Sequence, residues 1–546
     1  MEKAKTDKNK IKVSTAVLYA VVGFLFVFFA ITEKSLGGSG NIEWNAKYIL
    51  VLILLCIAGA SVFLGVYYFS LRLLSSFSRK ETFKSEKKIS TKTAFLGAFL
   101  LNMLAYLPYY LAYFPGIMAY DFPIQAEQFF NGSYNTHHPL FHTLLIEGCV
   151  KIGEFMFSSQ NAGVAIYTFL QMSFLALAFA YIMLTFCKLK VSFGGKLIFQ
   201  LFSMFYIING YMSVSITKDV IFTGFLIIFI SNLVLILYGF SDKAYHALMI
   251  VGIIGVCLYR NNGLYALIVV IVFEAVYSLI TKRNVRLLLE TVLGLVVSLA
   301  LLKGISFATG ATEGDKREML SVPIQQLART YIYHEDELTE EEKSLINDFI
   351  LYEGYRDYNP VISDPCKKKT NTSVVRYDTG RFLKTYFSLF RKYPGDYLNA
   401  FLALIGGYVS PFDESFREMS VSGETITRNY IQYASTYEPG AYGDDIHEQS
   451  LLPKVKAVMD TYALKDGFYT PVKRIIYIPG LLLWIYLCIF VNAVDKRDVK
   501  RIIPICFAAG FYITLFLGPT MHLRYLYPLT AVLPLFLIRN RKKNEA

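Results

Sequence analysis

Long apolar stretches recur along this chain at a length that leaves few folds open to it. They run for about 17 to 25 residues, the length at which an α-helix crosses a hydrocarbon layer of roughly 30 Å. Inside a bilayer every backbone N–H and C=O must find its partner within the segment or in a closed barrel, so such stretches fold as helices packed side by side. Counting them gives about twelve spans, near residues 14–32, 48–70, 93–113, 162–187, 197–217, 220–239, 247–259, 264–280, 287–308, 472–494, 502–518 and 523–538. With 54% hydrophobic and 16% aromatic residues, the apolar share exceeds that of a soluble domain. The expected fold is an all-α polytopic membrane protein.

The formal net charge of +12 would suit a nucleic-acid binder, but its distribution argues otherwise. Basic residues gather in short connections: Lys3 to Lys12, Arg72 to Lys92, Lys188 to Lys196, Lys282 to Arg286, Lys496 to Arg501 and Arg539 to Lys543. All fall on one side of the predicted topology, which the positive-inside bias makes cytoplasmic, with both termini inside. The first apolar block follows "MEKAKTDKNKIK" and reads as a retained signal anchor, being too long for a cleaved signal and lacking a small-residue cleavage site. The seven cysteines form no CxxC pair or disulfide framework, and most sit in apolar blocks.

Three regions follow. Residues 1–308 form a module of about nine spans, residues 309–471 an extracytoplasmic domain of mixed character inserted before the last three spans, and residues 472–546 those spans. The inserted domain opens with a predicted helix, "SVPIQQLARTYIYHEDELTEEEKSLINDFILYE", in which Thr339 and Glu342 offer a capping box. Gln325, Gln326 and Arg329 on it suit a solvated face or contacts to an acceptor. The apolar piece "YLNAFLALIGGYVSPF" is expected to lie against the membrane or dip into it, because a full crossing would invert every later loop. No internal repeat is visible.

Polar chemistry collects at the extracytoplasmic ends of the spans. The stretch "FPGIMAYDFPIQAEQFFNGSYNTHHPLFHTLL", residues 114–145, carries Asp121, His137, His138 and His142. An ionised carboxylate beside hydrocarbon is costly and is a functional candidate. Asp121 could accept a proton from a hydroxyl nucleophile or simply cap the short helix "DFPIQAEQFF". His138 and His142, four apart, could share a helix face, which permits a metal but lacks a firm third ligand. Hydrogen bonding of His137 and His138 to a substrate is the alternative. No cofactor is required by these residues, although a divalent metal stays open. Elsewhere at the same end lie Lys218 and Asp219 in "ITKD", Arg260 and Asn261 in "YRNNG", and Arg524 and Tyr525 in "HLRYLYP". A guanidinium there can bond bidentately to phosphate or snorkel to headgroups. Asn and Gly are also ordinary turn residues.

An acid after an outgoing span, a short amphipathic helix, and "HHPLFHTLL" opening the next helix together resemble the first extracytoplasmic loop of GT-C superfamily glycosyltransferases. The similarity is to the protein-mannosyltransferase-like and aminoarabinose-transferase-like enzymes, with one proline here where their "HPPLYY"-type strings have two, and a single acid where several have a pair. "SITKDVIF" and "HLRYLYPL" resemble, respectively, a Lys-Asp pair at a span end and the Arg-Tyr-Pro start of a late span. The resemblance implies a GT-C-like fold, Asp121 as catalytic base, and Arg524 facing a lipid-linked phosphate. It also implies a polyprenyl-phosphate sugar donor with an extracytoplasmic glycan, lipid or protein as acceptor. A transporter, flippase or exporter of a lipid-linked or polysaccharide substrate is the competing expectation, although transporters usually bind near the midplane between repeats.

Overall fold

The computed structural model describes residues 13–77, 90–118, 121–314, 316–411, 418–421, 424–427, 446–463 and 479–538. The basic clusters Lys3 to Lys12 and Arg539 to Lys543, most of the cluster Arg72 to Lys92, and the start of the span expected at 472–494 lie outside them. Twelve helices precede the inserted domain: α1 (Val13–Ser39), α2 (Ala46–Phe77), α3 (Thr91–Ala112), α4 (Asp121–Phe130), α5 (Leu140–Phe157), α6 (Gln160–Lys188), α7 (Phe193–Phe205), α8 (Ile207–Val214), α9 (Lys218–Leu237), α10 (Lys243–Tyr259), α11 (Asn261–Thr281) and α12 (Val285–Thr309). The inserted domain contributes α13 (Ser321–His334), α14 (Glu340–Phe349), α15 (Asp364–Lys368), α16 (Thr372–Tyr377), α17 (Thr379–Lys392), α18 (Pro394–Val409) and α19 (Pro453–Ala463), with a hairpin of β1 (Glu418–Val421) and β2 (Glu424–Thr427). The chain closes with α20 (Leu481–Asp495), α21 (Val499–Phe516) and α22 (Leu523–Phe536).

Among the described residues, eight helices are long and apolar enough to cross a membrane, namely α1, α2, α3, α6, α9, α11, α12 and α21. The segment expected at 197–217 is a pair, α7 and α8, bent by 50°, and counting that pair as one span makes nine. The count differs from twelve because α10, α20 and α22, with 17, 15 and 14 residues, are short. This is an integral membrane protein with several spans.

The helix α9 is the hub. Its stretch "VIFTGFLIIFISNLVLIL" is apolar on every face, the pattern of a helix enclosed on all sides, and it packs on α6, α10 and α22. Most of α2 and α12 instead faces outward, leaving Leu54 and Leu289 exposed, as lipid-facing residues should be.

The inserted domain has its own core, built from Ile324, Leu327, Leu345, Phe349, Phe382 and Leu389. Its first predicted helix is broken: α13 ends at His334, a short 3-10 turn follows, and α14 starts behind the expected capping box, with Thr339 and Glu342 bonded reciprocally. Gln325, Gln326 and Arg329 are buried rather than solvated. Arg329 donates to Asp396 (3.0 Å), to the Gly40 carbonyl (3.1 Å) and to Asn41 Oδ1 (2.7 Å), tying this domain to the α1–α2 connection. The piece expected to touch the membrane is α18. It is buried over most of its length and packs against α1, α20 and α21, so protein covers much of it.

Candidate functional site

The chain brings Asp121 and the loop before α9 together through the backbone before any side chain acts. Ile117 pairs with Ser215 in a parallel bridge, with Ile117 N donating to Val214 O (2.8 Å) and Ile216 N to Ile117 O (2.8 Å). Gly116 makes the approach possible, because a Cβ there would stand 2.4 Å from Thr168 Oγ1 and 3.1 Å from the Ile216 side chain. Gly116→Ala is therefore expected to cost about 1–3 kcal/mol in unfolding measured in detergent. Combining Gly116→Ala with Thr168→Ala should return only part of that loss, because the φ of +155° at Gly116 and the Ile216 contact both remain.

Beyond the bridge in sequence, each of its two segments is followed by a helix whose first turn is acidic. Asp121 opens α4, with Pro123 in the first turn, a position where the missing N–H costs nothing. Thr217 caps α9, its side chain accepting from Asp219 N, and Asp219 sits at the positive end of that helix. Onto these carboxylates come cations from distant points. Arg524 Nη1 and Nη2 grip Asp121 at 2.9 Å and 3.3 Å, and Lys218 Nζ lies 3.2 Å from the same carboxylate. Arg260 bonds to Asp219 Oδ1, while Asp219 Oδ2 accepts from Thr217 (3.0 Å) and lies 3.6 Å from Arg524. Tyr525 holds its ring 4.9 Å from both guanidinium carbons, and its hydroxyl accepts from Arg524 at 3.3 Å.

Asp121, Asp219, Arg260 and Arg524 are all buried. Three cations face two carboxylates, so the cluster carries an excess positive charge. Burial by itself would raise the Asp121 pKa, but the Arg524 and Lys218 charges outweigh it and hold the carboxyl well below its ordinary range. His138 Nδ1 is 3.0 Å from Lys218 Nζ. Burial first, and then the Lys218 charge, push the His138 pKa well down, leaving a neutral ring whose Nδ1 accepts from the ammonium. Two buried donor or acceptor atoms at the cluster, His138 Nε2 and Arg524 Nε, have no hydrogen-bond partner among the described residues.

His142 does not share this role. Its Nδ1 lies 3.0 Å from Gln125 Oε1 and its Nε2 2.6 Å from the Tyr167 hydroxyl. Gln171 fixes the protons: its Nε2 donates to Ser213 O (3.1 Å) and Ser215 O (2.8 Å), so its Oε1 accepts from Tyr167 at 2.9 Å. Tyr167 must then accept from His142 Nε2–H. Burial drives the His142 pKa down to about 3, so the ring is neutral and Nδ1 needs a donor, which the Gln125 amide supplies when its NH2 group faces the ring. This relay clamps α4 to α6 and to the loop before α9.

Of the residues singled out from sequence, Asp121, His138, Lys218, Asp219, Arg260, Arg524 and Tyr525 converge. His137 is exposed, donating its backbone N–H to Asn135, meeting the His138 ring edgewise and backing onto Gly314. Asn261 is exposed at the start of α11, while Asn262 donates to Thr514 (2.8 Å). Neither joins the cluster. Thr217, Gln125, Tyr167 and Gln171 went unread in the sequence; only Thr217 had a local signal, a Thr directly before the Lys-Asp start of an apolar helix. Among the described residues, no group of three or more His, Cys, Asp or Glu side chains is arranged to hold a metal ion. Beside the His142 relay, with Tyr167 and Gln171 in its wall, a groove of about 180 Å³ is lined further by Leu145, Leu170, Phe225 and Tyr259, among others.

Fold and site together define a polytopic integral membrane protein with a buried, net-cationic charge cluster at one end of its helix bundle. A family model matches residues 131–545, and the chain belongs to that family, described as a family of unknown function, DUF6020. The matched range includes Lys218, Asp219, Arg260 and Arg524 and begins after Asp121. Neither the curated proteins nor the solved structures include a match to the chain.

Proposed function

We propose that this protein is a GT-C-type membrane glycosyltransferase that moves a sugar from a polyprenyl-phosphate donor to an extracytoplasmic glycan, lipid or protein. In this reading the bundle has about twelve spans, counting α10, α20, α22 and the bent pair with the eight. Both termini are cytoplasmic, and the charge cluster faces the extracytoplasmic leaflet. The observation that carries it is the buried meeting of Asp121 with Arg524 and Lys218, with Arg260 held close through Asp219.

A phosphate entering this cluster competes with Asp121 for Arg524 and Lys218. Charge-assisted bonds from a guanidinium favour a phosphate that can accept on two oxygens, and Arg524 Nε and His138 Nε2, without partners among the described residues, add a donor and a further polar contact. Release from its cations makes Asp121 more basic when the substrate is present. The acceptor hydroxyl oxygen then bonds to the anomeric carbon, its proton passes to Asp121, and the bond from that carbon to the phosphate oxygen breaks. Arg524, Lys218 and Arg260 stabilise the charge left on the departing phosphate. Attack opposite the leaving group inverts the anomeric centre. The groove at the His142 relay supplies an apolar wall for a lipid tail.

Purified protein incubated with defined polyprenyl-phosphate sugars is expected to cleave the donor, and a chelator arm reports whether a metal ion is needed. Donor that binds and stays intact across all acceptors, or that only crosses reconstituted vesicles, would identify a transporter or flippase instead.

A further inference from the structure

Helix α17 carries an apolar stripe that the described chain leaves about half exposed, with only Phe390 meeting a ring of the next helix, Tyr397, edge-on at 5.5 Å. In "TGRFLKTYFSLFRK" successive side chains step by about 100°, which sorts the helix into three sectors. Phe382, Thr385 and Leu389 turn inward, to the core of the inserted domain. Leu383, Phe387 and Phe390, spaced four and three apart on one face, are exposed, Phe387 by 52%. Lys384 and Arg391 flank that stripe on the side away from the core, and both are exposed. Lys384 has only a distant exposed partner, Glu341 at 4.0 Å, a pair worth little.

The depth of the helix is set by its neighbour. Gly395, three residues past its end, packs so closely on Trp44 that a Cβ there would lie 3.1 Å from the indole. Trp44 donates to Asn399 Oδ1 at 2.8 Å and stands in the connection between α1 and α2, two of the spanning helices. The end of α17 therefore lies at the level where these spans leave the membrane, the zone where tryptophan and amphipathic helices settle. Phe390, two residues before that end, stands at that depth, and the apolar stripe that continues from it, with cations alongside, matches a lipid surface with anionic headgroups.

We infer that α17 is an interfacial anchor that seats the inserted domain on the lipid leaflet at the site end of the bundle. Leu383, Phe387 and Phe390 enter the acyl boundary, and Lys384 and Arg391 meet anionic headgroups. The inference is independent of the reaction catalysed.

The test uses the full-length protein in nanodiscs of phosphatidylglycerol and phosphatidylethanolamine, with a nitroxide placed at Phe387→Cys, at Phe390→Cys, or at Ser388→Cys on the neighbouring polar face. Signal from the seven native cysteines, measured on the unsubstituted protein, is subtracted. Oxygen collisions relative to a water-soluble nickel chelate should be several-fold higher at 387 and 390 than at 388. Adding Lys384→Glu and Arg391→Glu should move the 387 label toward water in phosphatidylglycerol and leave it unchanged in phosphatidylcholine. Equal, water-like collisions at all three positions would overturn the inference. So would shielding of 387 from both oxygen and nickel, which would mean that protein covers the stripe.

Discussion

Asp121→Asn is expected to lower sugar transfer by about 10²–10⁴-fold, the range for loss of a positioned general base, with donor binding kept or tightened because no carboxylate then competes for Arg524 and Lys218. Asparagine preserves the shape and one bond to Arg524 but cannot take a proton. Unchanged turnover would remove Asp121 from the chemistry. The ion pairs add a pH signature. In the free protein Arg524 and Lys218 hold the Asp121 carboxyl well below its ordinary range, so the acid limb of kcat/KM should fall below about pH 4. A bound phosphate draws those cations away and raises the pKa, so the acid limb of kcat should lie at higher pH. Coincident limbs would mean that the donor phosphate does not compete with Asp121.

Arg524→Met should have the largest effect on stability. Arg524 joins both carboxylates, at 2.9 Å from Asp121 and 3.6 Å from Asp219; its loss leaves Lys218 on Asp121 and Arg260 on Asp219 but removes two charge-assisted hydrogen bonds to Asp121. At roughly 1.5–3 kcal/mol for each such bond the cost is about 3–5 kcal/mol, readable as thermal or denaturant unfolding in detergent. Combining Arg524→Met with Asp121→Asn should recover part of the loss, since the residues are in contact and their effects do not add. Additive losses would show that the two do not share an interaction. The sign with pH follows from the depressed Asp121 pKa. Its stabilisation is fully present above the unfolded value of about 3.9 and disappears as pH falls through the folded value. Arg524→Met should flatten that acid dependence.

The spanning helices and the convergence of Asp121 with Lys218, Arg260 and Arg524 were legible because both follow from one-dimensional rules. Apolar length marks a crossing, and alternating crossings sort loops to two sides, so residues 121, 218, 260 and 524 fall at one end whatever the packing. Three things were not legible. The bend between α7 and α8 has no proline or glycine at its break, where Tyr206 takes extended dihedrals. Arg329 reads as surface by residue type, and only its partners Asp396 and Gly40 O, far away in sequence, explain its burial. The separate fates of His138 and His142 depend on Lys218 and Tyr167, which no local spacing reveals.

The parallel bridge between Ile117 and Ser215 bears on how this site can change over time. Its hydrogen bonds are main chain to main chain, so replacing side chains beside the bridge leaves the spacing of Ile117 and Ser215 intact everywhere except at Gly116, where the close approach needs the missing Cβ. Adding or deleting a single residue in one strand alone would slide its carboxylate past the facing ammonium. Relatives that vary in loop length here should do so in both strands at once, and substitution should be far better tolerated than insertion.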